Sequence, residues 1–150
     1  MLASRPQGGR GAADAARPNA KPSEPHHPET AAKPKLLLVE DDAFIRMDTA
    51  EILHDLGYDV IEAESGEQGA DILDHTLVDI IVVDLGLPGM SGSAFAARAR
   101  EALPSVGLVF ATGGSDLPDS NHLSGSVLLP KPFNSAALDR AVKAALQPRL

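Results

Sequence analysis

The chain contains no cysteine, so neither a disulfide framework nor a thiolate metal centre can be built from it. It has no apolar run approaching the roughly 18 to 20 residues that a bilayer-spanning helix needs. Its N-terminus also lacks the apolar stretch of a secretory signal. These absences predict a cytoplasmic protein with no membrane contact. Positive charge is scarce as well, the formal net charge being −8. The first 34 residues hold five basic groups (Arg5, Arg10, Arg17, Lys21, Lys33) against three acidic ones (Asp14, Glu24, Glu29), a net +2, which leaves −10 for residues 35–150. A segment that acidic is not expected to bind nucleic acid directly, because phosphate backbones call for clustered Lys and Arg. What is present is 150 residues at 43% hydrophobic content, enough for one ordinary domain and not two.

Residues 1–34 are rich in Ala, Pro, Gly and Arg and almost devoid of large apolar side chains. Such a segment cannot bury enough surface to offset the entropy of ordering it, and it is predicted to be a disordered extension. The domain is predicted to occupy residues 35–150, where short apolar runs alternate with helical periodicity. Strands are predicted at 35–39, 58–63, 78–84, 106–111 and 126–129, and helices at about 43–56, 65–75, 93–103 and 135–146. On the first helix Ile45, Thr49, Ile52, Leu53 and Leu56 form one stripe; Asp42 caps its start and Gly57 ends it. Strand–helix alternation implies right-handed crossovers and a parallel sheet with helices on both faces. One interval breaks the rhythm. Residues 113–125, GGSDLPDSNHLSG, hold turn and cap residues where a fourth connecting helix should stand. That helix is predicted to be missing or reduced to a single short turn.

Two strands end in acid. The run DIIVVDLGLPG places Asp84 directly after four uncharged residues, and LLLVEDD ends in Glu40, Asp41 and Asp42. Charge-free runs of this kind indicate strands buried on both faces, as in a parallel sheet. The Asp84 carboxylate must then stand at the rim, because burying an unpaired charge is strongly unfavourable. In open α/β sheets, ligands bind in the crevice beyond the carboxyl ends of the strands. Two acidic strand ends facing that crevice repel each other unless a cation lies between them. The pattern predicts a metal site, and a carboxylate nucleophile beside a metal predicts phosphoryl chemistry. All-oxygen donors of this type suit Mg²⁺.

Four motifs, LLLVEDDAFIR, IIVVDLGLPGMSG, VFATGG and LLPKPF, resemble in order and spacing the receiver domain of two-component response regulators. The resemblance covers about residues 35–147. It implies the flavodoxin-like receiver fold, a doubly wound α/β domain with a five-stranded parallel sheet in the order 2-1-3-4-5. It implies that Asp84 accepts a phosphoryl group from a phosphohistidine. Glu40 and Asp41 would hold Mg²⁺ with Asp84 and the backbone carbonyl of Gly86. The Thr112 hydroxyl would bond the phosphoryl group, and the Lys131 ammonium would pair with one of its oxygens. The Lys131–Pro132 bond is implied to be cis. The implied partner is a histidine kinase or a histidine phosphotransfer protein, meeting the helix that begins near Ala43 and the strand-end loops. These residue types are also what phosphoryl transfer needs on chemical grounds, since it is mostly positioning and neutralisation of charge on three equatorial oxygens.

The chain departs from the receiver pattern at one telling place. Receivers typically carry Tyr or Phe three residues before the lysine, an aromatic that swings inward on activation; here that residue is Leu128. VFATGG and the helix-poor stretch behind it are similar to a FATG-motif subgroup of alphaproteobacterial receivers that work with atypical histidine kinases. Phosphorylation is accordingly expected to order residues 113–125 instead of rotating an aromatic ring. Met90, Phe95 and Phe133 are expected to be packing residues. Two rival readings are weaker. A Mg²⁺-dependent phosphatase with an aspartyl-phosphate intermediate would want a second acid where Gly86 stands. A flavodoxin-like nucleotide-binding module would want a phosphate-cradling loop where Glu40 and Asp41 stand. With one closing helix after Phe133, the expectation is a stand-alone, monomeric receiver. It would not be an ordinary enzyme, and it would signal by protein contact or serve in a phosphorelay.

Overall fold

Runs of leucine, isoleucine and valine with no charge become strands, because only a strand covered on both faces buries every residue of such a run. The computed structural model of the protein describes residues 32–113 and 124–147. Its strands are β1 (Lys35–Val39), β2 (Asp59–Ala63), β3 (Ile80–Asp84), β4 (Gly107–Thr112) and β5 (Val127–Pro130). The helices among the described residues are α1 (Ala43–Asp55), α2 (Gly66–Leu73), α3 (Gly92–Ala102) and α4 (Ser135–Leu146). Every strand pair is parallel and the order is β2-β1-β3-β4-β5, which is the order 2-1-3-4-5 that the motifs imply. The predicted N-terminal extension falls almost wholly on residues 1–31, and the predicted loop at 113–125 mostly on 114–123; both stretches, with 148–150, lie outside the described residues. No helix among the described residues is long and apolar enough to cross a membrane.

Side chains alternate across the sheet and build one core on each face. Leu37, Val39, Ile81, Val83, Leu108 and Phe110 pack with α2 and α3, where Phe95, Ala96 and Ala99 are buried. Leu36, Leu38, Ile80, Val82 and Val109 pack with α1 and α4, where Leu53, Leu138 and Val142 are buried. Met90 and Phe133 are partly buried against these cores, as expected of packing residues.

Three local expectations are corrected. The buried face of α1 is Thr49, Ala50 and Leu53, while Ile45 and Leu56 at its ends are exposed. The helix is buried only in its second half, and its first turns stand clear of the core. Strands predicted from residues 58 and 78 begin at Asp59 and Ile80. Tyr58 and Val78 are buried but unpaired in the ladder: the Tyr58 N–H donates back to Leu53 O at 3.1 Å, and β1 offers partners to β3 only from Leu36↔Ile80 onward. Burial follows apolarity, whereas a strand begins where a neighbour's backbone is available. Finally, α3 starts at Gly92 under a Ser91 cap, one residue before the predicted start.

Candidate functional site

The sheet order assembles the site. The register Val39↔Val83 sets Glu40, the residue after β1, level with Asp84, the last residue of β3, and brings both to the same crevice. Ligand oxygens of Glu40, Asp41 and Asp84 all lie within 4.8 Å of one another. Thr112 ends β4 and is buried; it pairs in register with Pro130 of β5. The next residue, Lys131, donates its N–H to Thr112 O at 2.7 Å, and its bond to Pro132 is cis. The Lys131 ammonium reaches into the crevice, 3.1 Å from Glu40 Oε1 and 3.4 Å from Asp84 Oδ1. Gly86 donates its N–H to Asp84 Oδ1 at 3.1 Å. The structure thus brings Glu40, Asp41, Asp84 and Lys131 together at one strand-end crevice, with the backbones of Gly86 and Thr112 bonded to Asp84 and Lys131.

The rim expected for Asp84 is deeper than the sequence suggests. Asp84 is only 8% exposed and Glu40 4%, so these are buried carboxylates at strand ends. Lys131 is what makes this tolerable: it bridges both acids. Buried like charges at the 4.8 Å limit of this cluster repel by about 3 kcal/mol at an effective dielectric of roughly 20. Burial pushes the Glu40 carboxyl above the usual carboxylate range and the charge of Asp84 adds to this, while hydrogen bonds from the Asp42 N–H and from Lys131 oppose it. Burial pulls the Lys131 ammonium down, but the contacts with Glu40 and Asp84 outweigh that and hold it above the ordinary lysine value. The lysine is thus fully charged, yet one ammonium faces three carboxylates.

That surplus of negative charge, carried by oxygen donors alone, fits a hard divalent cation such as Mg²⁺. Asp42 does not join the set. Its Oδ1 accepts the Ile45 N–H at 3.0 Å and caps α1.

Two further residues, each the last of a quoted motif but given no role from the sequence, touch the backbone of the site. Arg46 donates Nη1–H to the backbone oxygen of Glu40 at 2.8 Å and pairs with Glu62 Oε1 at 3.3 Å. It ties α1 to the ends of β1 and β2. A Cβ added at Gly92 would come within 2.4 Å of the backbone oxygen of Asp84. The sequence places Gly92 at the end of the PGMSG turn, a signal that a close approach follows; for Arg46 only its position one turn into the helix hints at a role.

Residues 36–143 match the family model of the response regulator receiver domain. The chain belongs to that family. Among its relatives, the sensor kinase CckA of Brucella abortus is 32% identical over 117 residues, which cover 75% of this chain and 12% of that protein. The aerobic respiration control protein ArcA of Escherichia coli (strain K12) is 32% identical over 108 residues, 70% of this chain and 45% of that protein. The chain thus spans less than half the length of these two relatives. A solved response regulator receiver protein from Sinorhizobium medicae superposes with a TM-score of 0.72 at 32% identity, covering 76% of this chain and 94% of the other. The receiver domain of the hybrid histidine kinase CckA gives 0.66 at 30% identity, covering 75% and 99%. The receiver fold, a doubly wound sheet of five parallel strands, is shared with these structures. Leu128, singled out from the sequence, is exposed on the edge strand β5.

Proposed function

We propose that this receiver accepts a phosphoryl group on Asp84 from a phosphohistidine and passes the change on by protein contact, either as an output or as a step of a phosphorelay. The observation that carries the reading is the Lys131 ammonium poised between Glu40 and Asp84 at the mouth of an acid-rich crevice. An Asp84 oxygen attacks phosphorus, the P–N bond breaks, and its electron pair stays on the imidazole nitrogen, which solvent protonates. Lys131 pairs with an equatorial oxygen of the arriving group, and the Thr112 hydroxyl donates to another. The Gly86 N–H keeps the attacking carboxylate oriented. Glu40, Asp41, Asp84 and the Gly86 carbonyl are the groups that would hold Mg²⁺, which when bound neutralises charge on the transferring phosphoryl. The protein acts as a phosphoacceptor, its catalysis limited to its own modification.

The test is incubation with acetyl phosphate and Mg²⁺ followed by intact mass. One phosphoryl group is expected, and none when the metal is chelated; an unlabelled wild type with Mg²⁺ present would refute the reading.

A donor protein must present its histidine over the crevice, and α1 borders it. Phe44 and Met47 on that helix are 86% and 63% exposed, more apolar surface than solvent contact favours, and we assign them to the donor contact. Phe44→Ala is expected to slow transfer from a histidine phosphotransfer protein or kinase by about tenfold, the loss of an ordinary interface anchor, while leaving acetyl phosphate labelling unchanged. Equal slowing with both donors would move the role of Phe44 from docking to the fold.

A further inference from the structure

Between Asp84 and α3 the chain crosses residues 85–91, a loop that carries Gly86. Its start is tied to the sheet, the Leu85 N–H donating to Ala111 O at 2.9 Å. Its middle is anchored by Leu87, which is buried in the core. Its far end is held from a different element. Glu67, in the first turn of α2, accepts the Met90 N–H through Oε2 at 3.1 Å. Gly89 beside it has φ +70°, and a Cβ there would lie 2.9 Å from the same Glu67 oxygen. The neighbouring Gly66 would place a Cβ 3.1 Å from Met90 O. The start of α2 and the end of the loop are therefore packed backbone to backbone, with the Glu67 carboxylate as the polar contact between them.

An exposed acid in the first turn of a helix is ordinarily explained by the helix dipole alone. A dipole does not call for a bond to a backbone amide 23 residues away. We infer that Glu67 is a positioning residue for the phosphoacceptor site: it fixes the 85–91 loop so that Gly86 keeps its place against Asp84. The inference rests on the phosphoacceptor reading for its functional consequence, though not for its structural one. Glu67 touches no reacting atom. It acts through Met90, Gly89, Pro88 and Leu87 on Gly86, whose N–H orients Asp84 and whose carbonyl is assigned to the metal.

Glu67→Gln keeps an acceptor oxygen and removes the charge; Glu67→Ala removes both. In the full chain, amide exchange at Met90, Mg²⁺ affinity by calorimetry and the rate of acetyl phosphate labelling separate the roles. Glu67→Ala is expected to speed Met90 exchange and to weaken Mg²⁺ binding by about 3- to 10-fold, the scale of one lost hydrogen bond, with the denaturation midpoint of β1 and β3 amides unchanged. Glu67→Gln is expected to restore both. Ala and Gln variants that lose equally would assign the effect to charge and overturn the inference, as would a Met90 amide indifferent to both. If the wild type itself takes up neither Mg²⁺ nor label, the functional reading falls, while the exchange comparison still decides whether Glu67 holds the loop.

Discussion

Asp84→Asn is expected to abolish phosphoryl incorporation outright while leaving the protein folded. The amide oxygen is a poor nucleophile, and no other carboxylate occupies the Asp84 position at the end of β3. Glu40 is close, but its Oε1 is bonded to Lys131 and its Oε2 accepts the Asp42 N–H. Asp41 is exposed at the start of the following turn. The fold should survive because the substitution removes one charge from a crowded set. Glu40 loses the repulsion that helps raise its pKa, and Lys131 keeps its 3.1 Å contact with Glu40. Stability in the absence of metal should hold or rise, and Mg²⁺ affinity should fall with the loss of one carboxylate. Intact mass after exposure to acetyl phosphate, paired with a denaturant titration, reads both outcomes. A labelled Asn variant would place the acceptor elsewhere.

Gly92→Ala should damage both stability and labelling. A Cβ at this position meets the Asp84 backbone oxygen at 2.4 Å and the Leu85 Cα at 3.0 Å. Both contacts are backbone, so no side chain can swing aside to make room. Either α3 moves off the sheet or the end of β3 is pushed away from the crevice. Overpacking of this kind costs about 1–3 kcal/mol. Here the displaced atoms belong to the acceptor residue itself, so labelling should slow by far more than the stability loss explains. Ser91→Ala is the control. It removes the hydroxyl that accepts the Ala94 N–H at 3.0 Å and weakens the same helix start by about 1 kcal/mol, yet it pushes no backbone. Near-normal labelling is expected there. If Gly92→Ala labels as fast as Ser91→Ala, the close approach at Gly92 has no bearing on the site.

The elements that the sequence announces most clearly are those governed by local rules. Ser65 and Asp42 each accept a backbone N–H three residues on and start a helix; Asn134 does the same, a cap that only the structure brought out. Gly57, at φ 103°, follows the end of α1. The closing helix runs Ser135–Leu146, with Leu138, Ala141, Val142 and Ala145 buried at the spacing its sequence shows. Errors appear where a boundary depends on a neighbour. Val78 is as apolar as Ile80 but lacks a ladder partner, and the overhanging Ile45 belongs to the periodic stripe of α1 without reaching the core.

The acids at the ends of β1 and β3 were legible for a related reason. A charge after a run of residues buried on both faces has nowhere to go except the end of the strand, so Glu40, Asp41 and Asp84 declare themselves in one dimension, whereas Lys131, which follows a strand only partly covered, was marked by the family resemblance. The sequence thus determined the fold class and, through its family resemblance, the strand order, and it marked the acids Glu40, Asp41 and Asp84 that the structure brings together. How deep the crevice lies was decided only in three dimensions. Glu40 and Asp84 are nearly inaccessible, and the charge that compensates them comes from Lys131, 91 residues from Glu40. The Glu67 contact with Met90 and the fit of Gly92 under Asp84 are of the same nature. Each depends on distances between separately positioned backbones, and hydrophobic periodicity carries no record of such distances.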